Sequence, residues 1–100
     1  MSGERPGPLP RDQWTRAADL EAALRDAFAP TALEVRDDSA QHAGHAGARE
    51  GGHWTVRIVS ERFAGQSRVA RHRLVYHALA SLIPRGVHAL AIDSRAPDEP

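Results

Sequence analysis

Residues 63–83 read FAGQSRVARHRLVYHALASLI, the longest helical pattern in the chain, and the fold is organised around them. Gly65 suits a turn that needs positive φ, and Ser67 carries a side chain able to accept from the free amides of a helix starting just after it. Val69, Tyr76, Leu79, Ala80 and Ile83 then recur at three- and four-residue spacings, which predicts a single stripe facing a core. His72 projects near the middle of that stripe, with Arg71 and Arg73 to either side. An imidazole there is either packed structurally or, with a solution pKa near about 6.5, able to ligate a metal at neutral pH.

Working outward towards the N-terminus, residues 1–11 hold three prolines and two glycines with almost nothing apolar, and read as a flexible lead-in. Asp12 is the expected cap of a helix that places Ala17, Leu20, Leu24, Ala27 and Phe28 on one face and a Glu21–Arg25 pair on the other. Pro30 ends it. Residues 32–38 alternate Leu33 and Val35 against Glu34, Arg36 and Asp38, a half-buried strand. Residues 39–52 form a long connection with four glycines, Gly44 and Gly47 among them, and two histidines, His42 and His45. Connections of this length within a compact domain are functional or disordered.

Residues 53–61 predict a second strand, with Trp54, Val56 and Ile58 on one face, in a wide hairpin with the first. Towards the C-terminus Pro84 and Gly86 break the helix. Residues 87–94 predict a third strand, apolar on both sides apart from His88 and therefore expected to have cover on both faces. Residues 96–100 are a polar tail. The order α-β-β-α-β predicts one α+β domain over residues 12–95, with helices on one face of a three-stranded sheet.

Composition excludes several classes. The 100 residues carry 13 basic side chains, all Arg, and 13 acidic ones, a formal net charge of zero that gives no general attraction to nucleic acid or anionic membrane. There is no cysteine, hence no disulfide and no thiolate ligand or nucleophile. No apolar run approaches the roughly 20 residues of a membrane span, and no secretory signal is evident, so a cytoplasmic protein is the expectation. Ser39, Ser60, Ser67 and Asp37 are of catalytic type, yet no nucleophile elbow, phosphate loop or carboxylate pair accompanies them, and no enzyme is expected.

Several fragments in order carry a resemblance: Leu33-Glu34-Val35 with Asp38-Ser39, Val56 to Ser60 leading to Arg62-Phe63-x-Gly65, Arg71-His72-Arg73-Leu74-Val75-Tyr76 with Leu79-Ala80, and Val87-His88-Ala89-Leu90. Over residues 17–97 the chain resembles the BolA family. The resemblance implies a fold similar to class II KH domains, with a helix-turn-helix-like element near the central helix. It also implies a monothiol glutaredoxin partner and a shared [2Fe-2S] cluster, to which glutaredoxin and glutathione supply sulfur and the BolA-like chain supplies imidazole. The ligands it implies here are His72 and, in the loop, His42, with His45 as substitute. Arg71, Arg73 and the loop glycines Gly44 and Gly47 would shape the partner surface.

The residues agree independently: a chain with six histidines and no cysteine offers only nitrogen or oxygen ligands, and nitrogen ligation of such a cluster is chemically sound. His53 and His88 begin strands and read as structural, and His77 as a surface residue. The competing expectation is DNA binding through Arg62, Arg68, Arg71 and Arg73. Against it, the Gly-x-x-Gly clamp of KH domains is missing, since Arg68 stands where its second glycine would fall. Self-association of the free chain into a homodimer stays open.

Overall fold

A computed structural model describes residues 14–38 and 52–99. The elements are α1 (Ala17–Phe28), β1 (Ala32–Asp37), β2 (Gly52–Val59), a 3-10 turn (Glu61–Phe63), α2 (Arg68–Ala78) and β3 (Val87–Arg95). The sheet order is β1-β2-β3, with β1 antiparallel and β3 parallel to the central β2. The expected α+β class and element order are what is found. Among the described residues no helix is long and apolar enough to cross a membrane.

Asp12 lies outside the described residues. The described start of α1 uses Arg16, whose backbone N–H donates to the Asp19 carboxylate at 3.0 Å, an acidic group well placed at a positive helix end. Thr15 ties the preceding segment to the turn before β3 through Oγ1 to the Leu82 carbonyl (3.0 Å) and N–H to that of Arg85 (2.7 Å). At its other end α1 stops at Ala29 in the left-handed region (φ 43°), immediately before Pro30. Its inward face of Leu20, Leu24 and Phe28 meets Trp54, Val56 and Ile58 of β2, all buried, as the alternation in β2 requires. Phe63 completes this core, its ring 5.0 Å from that of Phe28.

The local signals before α2 hold: Gly65 has φ 74° and Ser67 Oγ accepts from the Ala70 N–H at 3.1 Å. The buried stripe differs from expectation in part. Leu79 is fully buried and Ile83 packs against the core as expected, but Val75 is buried in place of Val69 and Tyr76, which are 60% and 42% exposed. α2 carries apolar residues on more than one side, so periodicity alone admitted either set beside Leu79, and packing on the sheet took Val75. The helix also ends at Ala78, five residues short of the apolar pattern, and continues as hydrogen-bonded turns to Gly86.

Two strand expectations are corrected as well. β2 ends at Val59, because Ser60 caps the 3-10 turn that Glu61 begins. β3 is not covered on both faces: Ala89 and Ala91 are exposed, and among the described residues it pairs only with β2. Side chains of α2 screen part of this strand, Tyr76 Oη donating to the Leu90 carbonyl (3.4 Å) and Arg71 Nη1 to that of Ser94 (3.1 Å). Edge strands in proteins are commonly blunted in some such way. The expected polar tail is partly docked, since Ala96 is 2% exposed and Glu99 is ion-paired to α2.

Candidate functional site

The long connection leaves the sheet after Asp38 and returns at Gly52, so its two roots define one end of the sheet. Asp38 donates its N–H to the His53 carbonyl at 2.6 Å, and Gly52 its N–H to the Gly86 carbonyl at 2.6 Å. The Asp38 carboxylate accepts from Arg36 Nε (2.7 Å) and from Thr55 Oγ1 (2.5 Å), which fixes the outgoing root. The same contact with Asp38 raises the Arg36 pKa, keeping that guanidinium charged.

At the returning root the parallel ladder slips. Gly52 pairs with Val87, but His53 pairs with Ala89, leaving His88 as the extra residue of a bulge. Bulges re-aim side chains. Here the His88 ring stands 5.2 Å from that of His53, tilted by 54°. A shallow depression lined by Asp38, His53, Trp54, Thr55 and Leu90 adjoins the pair. Among the described residues no group of three or more metal-ligating side chains is assembled, so any metal held here needs ligands from elsewhere.

His72 lies beside the C-terminal half of β3. It is half-buried on α2 and lines a separate open cleft of about 700 Å³ together with Arg71, Ile92, Ser94 and Glu99. Measured along β3, Ile92 and Ser94 are four and six residues beyond His88, about 13 and 20 Å at 3.3 Å per residue. His42, His45, Gly44 and Gly47 lie outside the described residues. The imidazoles at the root of the loop are those of His53 and His88, and the structure does not bring His72 beside that root.

Of the two arginines expected at a partner surface, Arg73 is exposed, but Arg71 is engaged within the chain. Its side chain is 11% exposed and its guanidinium clasps Glu99 with Nη1–Oε1 at 2.6 Å and Nη2–Oε2 at 2.9 Å. Nε donates to the Gln66 carbonyl at 3.0 Å. This clasp, reinforced by the Ala96 N–H, holds the Glu99 carboxyl down to a pKa of about 2. His53 and His88 were read from the sequence as structural. Their meeting depends on parallel pairing and a bulge, neither of which leaves a local sequence mark. The Val87-His88-Ala89-Leu90 fragment was the available signal.

A mixed three-stranded sheet with two helices on one face, and a histidine pair where the 39–52 connection returns, defines a small α+β domain. The family model described as BolA-like protein matches residues 24–99. The chain therefore belongs to the BolA family. It is 48% identical over 84 residues to a Sinorhizobium protein known as "Uncharacterized protein in cobS 5'region", covering 81% of this chain and 90% of that one. It is 44% identical over 73 residues to the DNA-binding transcriptional regulator BolA of Escherichia coli (strain K12), covering 73% of this chain and 68% of the other. Its fold is similar to the BolA domain of SufE1 from Arabidopsis thaliana, with a TM-score of 0.73 and 43% identity over 83% of this chain and 93% of that domain.

Proposed function

We propose that this protein is an accessory iron-sulfur protein that pairs with a monothiol glutaredoxin and co-ligates a glutathione-dependent [2Fe-2S] cluster through histidine, serving cluster trafficking or iron sensing. The observation that carries the reading is the place of His88, the bulge residue at the returning root of the 39–52 loop. Family membership supports it, as does the absence of cysteine, which means that any thiolate ligand of the cluster comes from a partner. Neutral imidazole in place of thiolate lowers the negative charge on the cluster and raises its potential. Because His88 stands at the loop root and His72 does not, His88 takes the ligand place that the resemblance gave to His72, with the second nitrogen coming from His42 or His45 of the loop.

The test is anaerobic addition of the protein to cluster-loaded monothiol glutaredoxin, followed by visible circular dichroism. His88→Ala is expected to abolish the spectral change while His72→Ala retains it, and His42→Ala and His45→Ala identify the loop ligand. A His88→Ala variant that folds and gives the wild-type spectrum removes His88 from the ligand set. Loss on His72→Ala alone restores the original assignment.

DNA binding is the second reading, favoured by the name of the Escherichia coli relative and by exposed Arg62, Arg68 and Arg73 around α2. Arg71 is spent on Glu99, and the formal net charge is zero. A titration of specific and scrambled duplexes over a salt series separates the cases, because contacts to phosphate alone weaken steeply with salt and show no sequence preference.

A further inference from the structure

The cleft between the first turns of α2 and the far end of β3 already contains a ligand, a carboxylate supplied by the chain itself. Three donors converge on Glu99: two guanidinium nitrogens of Arg71, at 2.6 and 2.9 Å, and the Ala96 N–H at 2.7 Å. The guanidinium is held in place without it, since the carbonyls of Gln66 and Ser94 accept its remaining bonds. Planar forks aimed in this way match a carboxylate in both distance and direction.

The cleft is much larger than its resident. At about 700 Å³ it has room for several residues of peptide, and beyond Glu99 it is lined by Arg68, His72 and Arg95. Arg95 is bound to Asp93 at 2.9 Å, so a second carboxylate would meet Arg68 first. The resident reaches the cleft on a short turn, Glu99 N–H to the Ala96 carbonyl at 3.0 Å, and Pro97, Asp98 and Glu99 are all exposed. The Arg71 clasp and the Ala96 N–H therefore hold the carboxylate in place.

We propose that this cleft is a docking site for an acidic peptide segment of a partner protein, with Glu99 as a built-in competitor that fills it in the partner's absence. A nucleic-acid backbone is the poorer occupant. The fork of Arg71 and the Ala96 N–H are spaced for the two oxygens of one planar carboxylate, the group the cleft already seats. An occupant that must first displace Glu99 binds more weakly by the fraction of time the cleft is open.

The test uses the full metal-free chain and a fluorescent hexaglutamate peptide in an anisotropy titration, with hexaglutamine as the control. Glu99→Gln is expected to tighten hexaglutamate binding by about tenfold, and Arg68→Gln in that background to reverse most of the gain. Arg71 is left intact because its bonds to main-chain carbonyls also hold the fold. Equal affinity of wild type and Glu99→Gln would overturn the proposal, as would equal binding of hexaglutamine. A gain in Glu99→Gln for a DNA duplex but not for the peptide would also overturn it, assigning the cleft to phosphate. None of these outcomes depends on an iron-sulfur cluster.

Discussion

Ser60 is the buried hydroxyl on which three elements converge, and Ser60→Ala is the most informative single change to the scaffold. The residue is fully buried. Its Oγ donates to the Phe28 carbonyl at the end of α1 (2.7 Å) and accepts from the Arg62 N–H (3.1 Å), while its own N–H donates to the Arg95 carbonyl at the end of β3 (2.9 Å). Alanine keeps the last of these and loses the first two. A neutral hydrogen bond contributes about 1 kcal/mol net, and a buried group left without a partner costs about 1–3 kcal/mol. Arg62 is exposed and water can replace its lost bond, so the penalty falls mainly on the Phe28 carbonyl. The sum is about 2–4 kcal/mol, a large part of the 5–15 kcal/mol typical of a domain. In a domain of this size it lowers Tm by roughly 8–32 °C. Urea unfolding followed by the fluorescence of buried Trp54 measures it, with the midpoint falling at constant m. Ser81→Ala, at an exposed position, should change stability by less than about 0.5 kcal/mol. A Ser60→Ala loss no larger than that control would show that the Phe28 carbonyl finds another partner and would refute the reasoning.

Val75→Ala should lose about 2 kcal/mol or more by opening a cavity, whereas Val69→Ser should stay within about 0.5 kcal/mol apart from its helix propensity; the opposite ranking would restore the stripe expected from periodicity. Gly86→Ala should destabilise by at least 1–2 kcal/mol in thermal unfolding, because φ is 96° and the added Cβ would lie 2.7 Å from Trp14 Cγ; an unchanged Tm would mean that the indole moves aside freely. Glu99, at a pKa of about 2 in the fold against an ordinary 4.5, stabilises the docked tail fully above pH 4.5 and loses that effect as pH falls towards 2. Carboxyl carbon NMR should therefore find the Glu99 midpoint near 2, and a midpoint near 4.5 would show that the tail is undocked in solution.

The parts of this protein that were legible in the sequence are those fixed within a few residues. Gly65 turning at positive φ, Ser67 capping the Ala70 amide, Pro30 following the end of α1 and the alternation of Trp54, Val56 and Ile58 are all local consequences of backbone sterics and pattern. The family was legible too, because the order of its fragments is itself a sequence property. Tertiary structure alone buried Val75 beside Leu79 and left Val69 and Tyr76 exposed, since periodicity admits either set and only packing on the sheet discriminates between them. It alone joined Arg71 to Glu99 across 28 residues and turned an expected docking arginine into an anchor. It alone set His88 beside His53, through a parallel pairing 35 residues apart and a one-residue slip in its register. Periodicity reports what each segment could bury, and the sites depend on which segments meet, which is decided only when the chain closes on one shared core.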